Sequence, residues 1–446
     1  MNRWMIAVAG TLLQLCLGTV YAWSIFQNPL MATYGWSKPE AMITFSLAIG
    51  FLGATAAWGG TKLKKYGPRK LAVTGGVLFG VGFLVAGMAL LLAQRGVSAA
   101  GMFQTNLASL LLLYLGYGVI GGIGLGLGYV TPVATVAKWF PDRKGLVTGM
   151  VVMGFGLGAV LMSKVLAPCV LSMVGGDYGH MFLVFGGLFI LAAPLVASVL
   201  RNPPDGWLPD GYTPSSAGGS GHDMEHSTAR CVGSVRFGMM WLVFCCNIFA
   251  GIAIVSLQSP LFQNLYRNFD ANLSAAELAS LGSLLVAISS LFNGVGRFFW
   301  GGLSDRLGRT NAFRLMLATQ IAAFVGLIFA NNPYLFGALV CYILLCYGGG
   351  FGTMPSYVME VFGAKKMTVV YGAVLTAWSV GGIAGPFVFS LIDDKNAATA
   401  FTIAAATLGL GLVISLLLSD KAFRCGKRTL ATGCEPACLE AAGSRA

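Results

Sequence analysis

The chain has 446 residues, of which 56% are hydrophobic and only 10% charged, with a formal net charge of +12 and a mean hydropathy of +0.77. Soluble domains carry about 25% charged residues, so the composition excludes a soluble enzyme and places the chain in a bilayer. The positive charge is gathered in loops between apolar runs, which argues for membrane orientation and against a nucleic-acid partner.

A spanning helix needs roughly 20 mostly apolar residues. The apolar runs have that length and no strand alternation, so an all-α integral membrane protein is predicted rather than a barrel. In chain order the first run, about Trp4 to Phe26, has no small-residue cleavage site and reads as a span. Ala41 to Thr61, Leu71 to Ala93, Leu107 to Ala137, Leu146 to Val170 and Met181 to Leu200 follow. Residues 201–236 break the pattern with Pro, Gly and Ser, as a polar linker does. Its His222, Asp223, Glu225 and His226 read as a solvated segment rather than a metal site. Six more spans run at about Phe237 to Gln258, Leu278 to Leu303, Ala312 to Ala330, Tyr334 to Val358, Val369 to Ile392 and Ala397 to Leu418.

The expected organisation is therefore a six-helix half at 1–200, a cytoplasmic linker at 201–236, a second six-helix half at 237–419 and a cytoplasmic tail at 420–446. Two such halves with a site near the midplane are a transporter arrangement. Basic clusters in alternate loops, such as Lys62 to Lys70, Lys138 to Lys144 and Arg306 to Arg314, put both termini in the cytoplasm of a multi-pass inner-membrane protein. The ten cysteines form no disulfide framework, and the tail trio Cys425, Cys434 and Cys438 matches no zinc spacing.

One residue stands out against this pattern. Arg297 lies in the run Leu281 to Leu303, whose other residues are all uncharged. A cation inside a spanning helix costs at least about 2.5–3.5 kcal/mol and asks for a negative partner. No Asp or Glu lies in an apolar run; Glu277 and Asp305 only flank this one. The expected counter-ion is the substrate. Two blander readings are a side chain that snorkels to the interface, since Leu303 is only six residues, or about 9 Å, further along the helix, and a structural gate.

The loop after this span, Gly301-Gly302-Leu303-Ser304-Asp305-Arg306-Leu307-Gly308-Arg309, resembles the major facilitator signature G-x-x-x-D-R-x-G-R at every fixed position. The resemblance implies twelve helices in two pseudo-symmetric halves and a cytoplasmic gating loop built on Gly301, Asp305, Arg306, Gly308 and Arg309. The equivalent loop after span two is degenerate, with Lys64 in place of the Asp.

Further runs narrow the resemblance. Tyr21-Ala22-Trp23-Ser24, the stretch Lys138 to Gly145 with its Trp139-Phe140-Pro141-Asp142 core, Gly154-Phe155-Gly156-Leu157-Gly158, and Leu291-Phe292-Asn293-Gly294 with Arg297 and Phe299-Trp300-Gly301 are similar to the oxalate/formate antiporter family and the related monocarboxylate transporters. That resemblance implies that Arg297 contacts a substrate carboxylate, with Asn293 a polar partner one turn earlier on the same face. It also implies an aromatic cavity lined by Tyr21, Trp23, Tyr129, Phe155, Tyr347 and Phe351. Oxalate-exchanging members carry a second cation, a Lys in span eleven, where this chain has Trp378. One fixed charge balances a monoanion, whereas a dianion would enter a low-dielectric site with one charge unpaired.

The expected function is secondary active transport of a small monocarboxylate, lactate-like, pyruvate-like or formate-like, by alternating access, as proton symport or anion exchange. An oxalate/formate-type antiporter and a facilitator for an unrelated solute are the alternatives, with a non-transporting sensor behind them. No nucleophile–base constellation, phosphate loop or metal motif is present, so neither enzyme activity nor a cofactor is expected. The expected partners are a small carboxylate anion, a proton or counter-anion, and the lipid bilayer around a monomer.

Overall fold

The computed structural model describes residues 2–98, 102–204, 206–209, 227–363, 365–390, 392 and 397–418. The linker group His222 to His226 and the three tail cysteines lie outside them. Among the described residues the regular elements are all helical, and 11 helices are long and apolar enough to cross a membrane. They are Arg3–Gln27, Pro39–Gln94, Leu107–Trp139, Lys144–Met173, Tyr178–Ala197, Val235–Phe269, Ala276–Leu307, Arg309–Ile328, Pro333–Phe362, Met367–Phe389 and Ala397–Leu416.

The second of these has 56 residues, about 84 Å at 1.5 Å per residue and far beyond a hydrocarbon core of about 30 Å. It is two spans joined by a sharp turn. Gly67 sits at φ 76°, ψ 163°, a backbone region that glycine enters without a Cβ penalty. Pro68 then opens the next helix, where its missing N–H costs nothing. The 11 helices thus make the twelve expected crossings. Gly308, at φ 84°, makes the same turn between spans eight and nine. Several helices run beyond the predicted apolar limits, span seven to Phe269 and span eight to Leu307. Hydropathy sees the lipid-embedded part of a helix and not its polar ends.

Two long seams join the first six spans to the last six. Along one, spans five and eight approach until Gly149 lies against the Arg297 backbone and Gly156 against Gly294. Along the other, spans two and eleven meet at Gly53 and Gly60, and the Ser379 hydroxyl donates to the Gly50 carbonyl at 2.8 Å. Small residues at these crossings let the backbones touch, which is how helices associate where lipid provides no hydrophobic drive.

Candidate functional site

Three local features of the helices position the site. Span one is not continuous: α-helix Arg3–Leu17 tightens into a 3₁₀ segment, Gly18–Ala22, before Trp23–Tyr34 resumes. Gly18 and Gly158 lie backbone to backbone, so a Cβ on either would strike the other span. This contact sets the Tyr21 ring edge-on to Phe155, with centroids 5.1 Å apart at 89°. In the same way Gly348 and Gly352 of span ten lie against the backbone of span eight at Asn293 and Arg297. Span eleven breaks at Leu375, between Met367–Val374 and Thr376–Ser390. The backbone N–H of Trp378 there donates to the Leu375 carbonyl at 2.9 Å in a tightened turn.

Arg297 is fully buried, at 0% exposure. Burial among the rings excludes the snorkelling reading, because the side chain turns into the bundle instead of along it. Its Nε donates to Asn293 Oδ1 at 3.3 Å and its Nη1 to the Val152 carbonyl at 3.4 Å. Both are longer than the usual 2.7–3.2 Å for such bonds, and Nη2 has no partner. The guanidinium lies 4.8 Å from the centroid of Phe351, 5.5 Å from Phe155 and 5.9 Å from Tyr21, within the range of cation–π attraction. Among the described residues no carboxylate pairs with it, and the buried polar side chains include no Asp, Glu or His.

The walls of this cage come from both sets of six spans. Tyr129 stands edge-on to Phe155 and to Trp378, both at 5.1 Å. Trp378 also packs 4.5 Å from Phe351 and 6.0 Å from Tyr21. Tyr347, 5.3 Å from Phe351, shares a hydroxyl–hydroxyl hydrogen bond of 3.0 Å with Tyr21. Arg297, Asn293, Tyr21, Tyr129, Phe155, Tyr347, Phe351 and Trp378 are therefore one buried cluster.

Trp23 does not join it. It packs on Tyr117 at 4.6 Å and donates to the Ala41 carbonyl at 3.1 Å. Trp23 and Tyr21 nevertheless line one narrow cleft of the bundle. Tyr371 is the member that sequence reasoning missed. It is fully buried next to Tyr129 and within electrostatic reach of Arg297. Its place seven residues before Trp378, two turns along span eleven, was the signal available.

The loop predicted to act as a gate packs against the start of span five. Asp305 accepts from the Leu146 backbone N–H at 3.2 Å, in the first turn of span five, and also from Arg309. Arg309 in turn donates to Glu360 Oε1 at 2.9 Å and to the Ser304 hydroxyl. Gly301 lies against the Gly145 carbonyl, and Thr148 and Ser356 share a hydrogen bond of 3.3 Å. Gly308 supplies the turn, while Arg306 is exposed. At the degenerate loop, closure rests on backbone packing of Gly60 against Thr368 and of Gly372 against Ala56. At the other end a narrow cleft of about 30 Å³, lined by Tyr21, Ser24, Gln27, Phe45, Ser256 and Pro386 among others, stops at Tyr21. That volume holds a water or two, so a carboxylate enters only when the helices part.

The family model of the Major Facilitator Superfamily matches residues 8–386. The oxalate:formate antiporter of Oxalobacter formigenes is 27% identical, covering 91% of this chain and 89% of its own length. Monocarboxylate transporter 3 of Rattus norvegicus is 25% identical over 91% of this chain and 77% of its own. Among solved structures, a bacterial homologue of the iron transporter ferroportin in the outward-facing state superposes with a TM-score of 0.64, covering 94% of this chain and 99% of that one at 12% identity. At that identity the likeness concerns the fold.

Proposed function

The chain belongs to the Major Facilitator Superfamily, and from that premise we propose that it carries small monocarboxylate anions across the membrane by alternating access. One observation carries the reading. A fully buried arginine, with no carboxylate partner and one guanidinium nitrogen without a hydrogen bond among the described residues, stands where residues of both halves meet. A guanidinium fork fits a carboxylate, so the substrate supplies the missing charge. With the anion bound the pair is nearly neutral and the bodies at 1–200 and 237–419 rock around it. Without the anion, Arg297 resists closure.

In this reading Arg297 holds the carboxylate and Asn293 orients the guanidinium. Tyr21, Tyr129, Phe155, Tyr347, Phe351 and Trp378 enclose the carbon skeleton, and Trp23 lines the approach beside Tyr21. Gly301, Asp305, Arg306, Gly308 and Arg309 form the cytoplasmic gate. The molecule acts as a monomer with both termini in the cytoplasm. The oxalate:formate antiporter among its relatives makes a dicarboxylate the competing substrate, but the cage offers only one cation. The absence of Asp, Glu and His from the buried polar set of the described residues favours a counter-anion over a proton as the coupling partner.

Counterflow in proteoliposomes with labelled lactate, pyruvate, formate and oxalate tests this reading. Uptake should be driven by trans monocarboxylate and should not be accelerated by an inward proton gradient. Stimulation by the gradient alone would mean symport, and preference for oxalate would overturn the one-charge argument.

A further inference from the structure

Span five holds a cation that the cage does not use. Lys164 lies inside the apolar run Leu146 to Val170, nine residues or about 14 Å before the helix ends at Met173. A charge at such a depth is costly and is by default functional. Among the described residues no carboxylate pairs with it. Its Nζ reaches across the seam to span eight and donates to the Ser283 hydroxyl at 3.4 Å, longer than a normal bond of this kind. The lysine is exposed and the serine half-buried, so the ammonium stands at the lip of the seam, at the end away from Asp305.

The helix is shaped to bring it there. Gly156 of span five lies against Gly294 of span eight. Counted at about 100° per residue, position 163 falls on that same face and position 164 about 80° away from it. Span five departs from a regular helix at this point, with a π turn at Met162–Leu166. The wider turn carries an extra residue and brings Lys164 back toward span eight; such turns are rare and frequent at functional sites. A lysine that merely snorkelled to the headgroups would need no such turn and would not reach for the facing helix.

Lys164 is also too far from the cage to act within it. From Ser283 to Arg297 is 14 residues along span eight, about 21 Å, more than two screening lengths of about 8 Å at physiological salt. Two cations so far apart do not grip one small acid together. An anion entering from this end meets Lys164 first and Arg297 later.

We propose that Lys164 is an outer docking site for the carboxylate, on the rim of the mouth that opens when spans five and eight part at this end. This rests on the reading of the chain as a carboxylate carrier. The arriving carboxylate replaces Ser283 as the partner of the ammonium, which gathers the anion at the mouth and releases the bond across the seam. An exposed cation of this kind acts by raising the local anion concentration and the rate of arrival, and salt screens it.

Initial rates of labelled lactate uptake by the full chain, in vesicles of neutral phosphatidylcholine, test the site. At low ionic strength Lys164→Gln should raise the apparent KM at least about threefold and Lys164→Glu should raise it further, while Lys164→Arg restores the low value. Added potassium sulfate should raise the KM of the unaltered chain and shrink its difference from Lys164→Gln. Ser283→Ala frees the ammonium and should lower the KM. An unchanged KM in Lys164→Gln and Lys164→Glu overturns the docking site, as would be found for a lysine that serves only the lipid. A KM raised equally by Ser283→Ala and Lys164→Gln and indifferent to salt also overturns it, because the bond and not the charge would then matter. In both cases loss of uptake in Arg297→Ala leaves the carboxylate reading standing. Absence of saturable uptake of lactate, pyruvate and formate by the unaltered chain overturns that reading, and the docking site with it.

Discussion

The contact between Asp305 and the start of span five predicts how the gate is balanced. Asp305, Arg309, Ser304 and Glu360 all belong to the last six spans, so their bonds persist when the halves separate. Of the bonds made by this group, the 3.2 Å one from Leu146 N–H to Asp305 crosses the seam, beside the neutral Thr148–Ser356 bond of 3.3 Å. The Asp305 bond joins a carboxylate to the N-terminus of a helix, where a negative charge gains about 0.3–1 kcal/mol from the dipole and a charge-assisted hydrogen bond adds to it. Asp305→Asn keeps an acceptor oxygen and removes the charge. The closed form should lose about 1 kcal/mol relative to the open one, roughly a fivefold shift in the equilibrium. Glu360→Gln disturbs a bond within one half and should move the equilibrium much less. Distances between spin labels at the exposed positions 65 and 306, one on each side of the basic-loop face, report the two populations. Equal shifts in both variants, or none with Asp305→Asn, would refute the argument that the charged cross-seam bond of Asp305 biases the gate.

Two more outcomes follow from the cage and its supports. Trp378→Lys places a second cation beside Tyr129 and Phe351, and oxalate should then compete measurably with labelled lactate in counterflow; no gain would show that charge number does not select the substrate. Gly352→Ala puts a methyl group against the Arg297 carbonyl, closer than real contacts allow. It should cost about 1–3 kcal/mol through overpacking, seen as a lower unfolding temperature in detergent, whereas Gly187→Ala, with open space around it, should not.

The twelve crossings were legible because each is a run of about twenty apolar residues, and a hydropathy pattern needs no partner to be read. Arg297 and Asn293 were legible for a related reason: one charge in an apolar run is conspicuous, and a spacing of four fixes a shared face. Tyr371 was not. In a sequence with 14 tyrosines and 29 phenylalanines, an aromatic in a span reads as packing until it is seen beside Tyr129, within reach of Arg297. Glu360 was hidden because its partner Arg309 is 51 residues away. Trp23 was drawn toward the cage by its nearness in sequence to Tyr21; it packs on Tyr117 and lines the cleft that ends at Tyr21. The snorkelling alternative for Arg297 failed because a linear distance to the helix end says nothing of which face the residue occupies.

The account depends on Arg297 being the carboxylate site, and Arg297→Lys in lactate counterflow tests it most directly. Lysine keeps the charge but loses the planar fork and the stacking on Phe351 and Phe155. Labelled lactate uptake at equal protein in the vesicles should fall at least about tenfold, with a weaker apparent affinity. Uptake and affinity equal to those of the unaltered chain would contradict the account.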